Sequence, residues 1–66
     1  MKIIMNGKIK SIKDKKNLKS LIAEFCRDSN HVIAELNNVI IKRDHWDKAE
    51  LKSGDTLELI NFVGGG

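Results

Sequence analysis

Sixty-six residues make at most one domain. A chain this short buries only about 60% of its unfolded surface, which excludes a two-lobed catalyst with a deep, water-excluding cleft. Hydrophobic residues at 41% suffice for one core, and the net charge of +3 comes from an excess of lysine.

The opening MKIIMNGKIK is too short an apolar run for a signal peptide. No later stretch approaches the roughly 20 apolar residues of a membrane span. The chain is therefore predicted to be soluble and cytoplasmic. KIIMNGKIKSI predicts a hairpin: two apolar runs flank Asn6-Gly7, and a type I′ turn needs positive φ at both central residues. Ile3 and Met5 share one face of the first strand, and Ile9 and Ile12 supply apolar groups to the second.

Lys13, Lys15, Lys16 and Lys19 follow as a basic cluster. It lacks the arginine and interleaved aromatics of a nucleic-acid patch and reads as solvated surface at a helix start. NLKSLIAEFCRDSN predicts that helix. Leu18, Leu21, Ile22, Phe25 and Cys26 fall at i, i+3, i+4, i+7 and i+8, with Asn17 as N-cap and Ser29-Asn30 as the exit. Cys26 is the only cysteine, so no intramolecular disulfide forms, in keeping with a reducing compartment.

HVIAELNNVIIKR predicts two short strands around an Asn37-Asn38 turn. DHWDKAEL is a polar connector pinned by Trp46 and Leu51, with room for one helical turn. Ser53-Gly54-Asp55 is a tight turn, and TLELINFV is the last strand. The order β-β-α-β-β-β predicts an α+β fold, with one main helix across one face of a mixed sheet. With the last strand beside the first, this is the ubiquitin-like β-grasp arrangement. Residues 1–63 form the expected domain and 64–66 a flexible glycine tail.

Catalytic chemistry is largely missing. His31 and His45 have no partners at metal-ligand spacing, and a zinc site needs about four ligands. Cys26 lies on the apolar stripe of the helix rather than in the electropositive setting of a reactive thiolate. There is no phosphate loop and no nucleophile–base set. The chain is not predicted to be an enzyme, nor to bind a metal or cofactor of its own.

Gly64-Gly65-Gly66 calls for an explanation, because glycine is the residue most costly to order. A terminal carboxylate is anionic at pH 7, with a reference pKa of about 3.3–3.7, and is a poor electrophile until activated on a nucleotide phosphate. Residues without side chains pass easily through a narrow passage to a partner's ATP. The tail alone leaves two readings open: a substrate tail whose Gly66 carboxylate reacts, or a frayed terminus.

AELNNVIIKRDHWDKAELKSGDTLELINFVGGG resembles the ThiS family of sulfur carriers, whose pattern is close to LN…IV-P-R…W…L…GD…E…VGGG. The matching residues are Leu36-Asn37, Arg43, Trp46, Leu51, Gly54-Asp55, Glu58 and Val63 to Gly66. Lys42 departs from it, standing where the family usually has proline. The first half is similar only in layout and in its Asn-Gly turn. The resemblance implies a β-grasp protein that is a substrate of enzymes. Gly66 is adenylated by a ThiF-type, E1-like adenylyltransferase using Mg-ATP. A cysteine desulfurase or a persulfide supplies sulfur, which displaces AMP and leaves a thiocarboxylate. Thiazole synthase of the ThiG type then takes the sulfur. Gly64 and Gly65 thread the partner's active site. Apart from the resemblance, the chain's small size makes a free monomer the expectation, and its composition predicts binding to neither nucleic acid nor membrane.

In the last strand Leu57 and Leu59 share one parity, and Glu58, Ile60 and Phe62 the other. If the leucines face the helix, Ile60 and Phe62 face solvent beside the tail as a docking patch. Arg43 either braces its loop or meets a partner carboxylate. The rival readings are a molybdopterin-synthase small subunit, a protein modifier whose glycine joins a target lysine, and a plain β-grasp binding module. The first is usually longer and tends to carry prolines before its glycines; this chain has no proline.

Overall fold

The structure is a computed structural model that describes residues 1–13, 16–26 and 28–61. Among the described residues are five strands and one α-helix: β1 (Lys2–Met5), β2 (Lys8–Ser11), α1 (Leu18–Phe25), β3 (Val32–Leu36), β4 (Val39–Ile41) and β5 (Thr56–Asn61). The sheet order is β2-β1-β5-β3-β4. β1 and β5 run parallel, with Ile4 opposite Thr56 and Met5 opposite Leu57. The other pairings are antiparallel. The last strand thus lies beside the first, as expected of the β-grasp arrangement, and at the centre of the sheet.

Both hairpins turn on asparagine. Asn6 and Gly7 have φ of 50° and 80°, and Asn37 and Asn38 have 50° and 70°. These are left-handed values that Gly and Asn tolerate best. Each hairpin also sends one asparagine side chain to β5. Asn37 Oδ1 accepts from Thr56 N–H at 2.9 Å where β5 begins. Asn6 Oδ1 accepts from Leu59 N–H at 2.8 Å, and its Nδ2 donates to Leu59 O at 3.3 Å, where β5 nears its end.

Helix α1 packs Leu18, Leu21 and Ile22, all 0% exposed, against Ile3, Met5, Val32, Ala34 and Leu57. Asn17 caps it by accepting from Ser20 N–H at 2.8 Å. The connector finishes the cap: Ala49 O accepts from Leu18 N–H and Trp46 O from Lys19 N–H, two of the donors a helix start leaves unpaired. Trp46 and Leu51 are each 4% exposed and pin the connector as expected. Its helical turn is a 3-10 turn at Arg43–His45.

Two expectations about the helix are overturned, the burial of Phe25 and the exit at Ser29-Asn30. Phe25 is 45% exposed, not core, and Lys10 Nζ lies 5.9 Å from its ring centre. The helix ends at Phe25, Cys26 is already extended, and Ser29-Asn30 belong to a separate 3-10 turn. Periodicity fixes the angle of a residue around the axis, not where along the axis support stops. Ile9 is 72% exposed. Its cross-strand partner is Ile4, on the face away from the helix, while Lys10 and Lys8 stand opposite the buried Ile3 and Met5.

Gly54 has φ of +91°, and a Cβ there would meet nothing within 4 Å. Gly54→Ala therefore costs only the backbone strain of a left-handed alanine, about 1–2 kcal/mol. Urea unfolding should show that loss with an unchanged m-value, and the variant should function normally under folding conditions.

Candidate functional site

The site is built on β5. Leu57 is fully buried and Leu59 half-buried on the helix side, whereas Ile60, 47% exposed, points to the opposite face, as the strand alternation predicts. Register shows that Ile60 is not alone there. Its partner on β3 is Ile33. Ile40 on β4 stands opposite Glu35, and Glu35 stands opposite Glu58. Ile4 and Ile9 continue the face on the far side of β5. All five isoleucines are exposed. Apart from Ile60 they were invisible in the sequence as a group. Ile3-Ile4 and Val32-Ile33 put apolar residues on both faces, and only the register tells which one points outward.

Phe62 and Gly64, Gly65 and Gly66 lie outside the described residues, as does the boundary expected between domain and tail. The described part of β5 ends at Asn61, opposite Val32. On the helix side of this end is a groove lined by Asn6, Phe25, Cys26, Asp28, Leu59 and Asn61, among others.

Arg43 is not brought to the face of Ile60. It borders a hollow on the helix side with Lys19, Ile22 and Trp46. Its Nη2 donates to Ser29 Oγ at 3.4 Å, and its guanidinium carbon lies 6.0 Å from the Trp46 ring centre. Trp46 Nε1 in turn donates to Ile41 O at 3.0 Å. Lys42 has φ of −65°, the angle a proline ring imposes, so lysine keeps the loop in a proline-compatible conformation.

The remaining polar side chains of the described residues are scattered. Among the described residues no three His, Cys, Asp or Glu groups gather as a metal site. Cys26 is half-buried and packs against the core. Asp28 Oδ2 lies 2.8 Å from His31 Nδ1. The Asp28 carboxyl is held below its ordinary value, first by the Asn30 backbone N–H and then by His31. Its stabilising contribution is therefore present above pH of about 4 and lost as pH falls through the lowered value. Among the described residues no helix is long and apolar enough to cross a membrane.

Comparison with known proteins agrees with this geometry. The ThiS family model matches residues 3–66. The sulfur carrier protein ThiS of Bacillus subtilis is 36% identical over 63 residues, covering 94% of this chain and 96% of that protein. A thiazole synthase of Paramagnetospirillum magneticum is 30% identical over 66 residues; the match covers all of this chain but spans only 20% of that protein's length. The crystal structure of the thiamine biosynthesis protein ThiS from Geobacter metallireducens superposes with a TM-score of 0.87 at 29% identity, with both chains fully covered. A mixed five-stranded sheet with its last strand at the centre, one helix across it and a family match running to the final glycine make this chain a member of the ThiS family of ubiquitin-like β-grasp sulfur carriers.

Proposed function

We propose that the chain carries sulfur for thiamine biosynthesis as a thiocarboxylate on Gly66, and that it acts as the substrate of its partners rather than as a catalyst. The observation that carries this reading is the family match over residues 3–66, glycine tail included. The Gly66 carboxylate attacks the α-phosphate of ATP on an E1-like, ThiF-type enzyme with Mg bound, releasing pyrophosphate and forming an acyl-adenylate. A sulfide equivalent from a cysteine desulfurase or other donor then displaces AMP. The resulting thiocarboxylate is a soft nucleophile suited to give sulfur to an electrophilic carbon. A thiazole synthase containing a segment similar to this chain supports that enzyme as the acceptor. Gly64 and Gly65 admit the tail to the activating site because they carry no side chain that a narrow passage would exclude.

Mass spectrometry of the peptide Ser53–Gly66, cut after Lys52, tests the reading after incubation with ATP, the activating enzyme and a sulfur source. That peptide contains neither methionine nor cysteine, so oxidation cannot imitate an exchange of oxygen for sulfur. Sulfur that appears only with ATP supports the carrier. An unmodified terminus beside a demonstrably active enzyme overturns it in favour of a modifier or binding module. Sulfur that passes to a molybdopterin synthase instead of thiazole synthase changes the acceptor alone.

The outer face beside Ile60 is where the activating enzyme docks on this reading, because exposed isoleucines gather there around Glu35 and Glu58, on the strand that leads to the tail. Ile60→Asp should raise the KM for the carrier about tenfold or more, by placing a charge within a desolvated contact. Its stability should fall by about 1 kcal/mol or less, since the side chain is half in water. Steady-state adenylation kinetics alongside thermal unfolding check both numbers.

A further inference from the structure

β1 turns away from the sheet at Asn6-Gly7, whereas β5 continues to Asn61. The last backbone bond from this side of the sheet runs from Asn6 N–H to Leu57 O at 2.9 Å. Beyond it, the N–H and C=O of Leu59 face a place where β1 has no backbone to offer. The Asn6 amide fills that place. Its Oδ1 accepts from Leu59 N–H and its Nδ2 donates to Leu59 O. A side-chain amide thus extends the ladder by one rung, in the geometry of the missing peptide. β5 is thereby held on both sides as far as Leu59, with β3 continuing on the other side through the Val32–Asn61 pairing.

We infer that Asn6 is a positioning residue for the reactive tail: its amide fixes the direction in which β5 delivers the chain to the activating enzyme. This rests on the proposed reaction at Gly66. Without the clamp, β5 stays attached to β3, and to β1 as far as Leu57, but beyond Leu57 nothing among the described residues holds it on the β1 side. Gly66 lies seven positions beyond Leu59. A shift of β5 at Leu59 moves the point from which the tail must reach the activating site, and misplacement of about 1 Å can cost on the order of 100-fold in a positioned reaction.

The fold supplies its own control. Asn37 makes a comparable side-chain bond to β5 from the other hairpin, to Thr56 at the strand's beginning, far along the chain from the tail. Both asparagines have φ of 50°. Glycine accepts that φ, so Asn6→Gly and Asn37→Gly each remove an amide clamp without forcing the turn. Asn6→Asp keeps the acceptor for Leu59 N–H but sets a carboxylate oxygen against Leu59 O.

The test measures amide hydrogen exchange of Leu59 in the free protein and adenylation kinetics with the activating enzyme. Asn6→Gly is expected to speed Leu59 exchange about tenfold or more. It should also lower kcat for adenylation about tenfold, with KM near wild type because the docking face is intact. Asn37→Gly should leave both readouts near wild type, and Asn6→Asp should fall between. A kcat for Asn6→Gly equal to that of Asn37→Gly, or unchanged Leu59 exchange, overturns the inference. If wild-type protein itself is not adenylated, the reaction at Gly66 fails and the positioning role falls with it, whatever the exchange shows of the hydrogen bonds.

Discussion

Deletion of Gly65 and Gly66 is expected to lower ATP-dependent sulfur loading at least about a thousandfold while leaving the melting temperature within about a degree of wild type. The shortened chain still ends in a carboxylate, now on Gly64, with the same charge and intrinsic reactivity. It falls short by two residues, or about 7 Å at the extended rise of roughly 3.3–3.6 Å per residue. Reacting atoms must come within about 3–3.5 Å, and on the proposed reading the carrier cannot advance to close the gap, because a folded domain is too wide for a passage that admits a glycine tail. Stability is untouched because the two deleted glycines have no side chain to bury, and among the described residues the buried side chains run from Ile3 to Leu57. Loading followed on the Ser53–Gly64 peptide, beside a thermal melt, tests both halves. Loading retained by the truncated chain would detach the glycines from the chemistry and favour a binding module.

The parts of this fold that could be read in the sequence are those set by local rules. Asn6-Gly7 and Asn37-Asn38 need left-handed backbone, and asparagine and glycine are the residues that accept it. Leu18, Leu21 and Ile22 mark the buried stripe by their spacing. The alternation of Leu57, Leu59 and Ile60 gave the outward face of β5. Where the sequence reading failed, the cause was nonlocal. Ile9 is apolar on an edge strand whose helix-side positions are held by Lys8 and Lys10, and only the pairing with β1 reveals it. Phe25 has the right angle on the helix but sits where the helix ends. The Asn6 bond to Leu59 joins residues 53 positions apart, and the five-isoleucine face gathers side chains from Ile4 to Ile60, separations that no periodicity encodes. The chemistry itself was legible only through the glycine tail and the family pattern, because a substrate carboxylate needs no catalytic constellation around it.

Leu57→Ala should be the most destabilising of the single substitutions considered, with a loss of about 2–5 kcal/mol. Leu57 is 0% exposed and lies on the central strand, opposite Met5 on β1 and Leu36 on β3, over the helix residues of the same core. Truncation removes the apolar transfer energy of the side chain and leaves a cavity that two flanking strands, fixed by their own ladders, cannot collapse to fill. A domain of this size rarely has more than about 3–5 kcal/mol to lose. The melting temperature should therefore drop by roughly 4–8 °C for each kcal/mol, and a large fraction of the variant should be unfolded at 37 °C. Loading would then fail for a reason unlike that of the tail deletion. Cooling, or a stabilising osmolyte, restores the folded fraction and should restore loading of Leu57→Ala in proportion, whereas the deletion stays inactive under every condition. Circular dichroism melts with sulfur loading measured at two temperatures make the separation. A loss below about 1 kcal/mol would mean that the core around β5 repacks, and that the strand carrying the tail is held more loosely than its burial and its two ladders require.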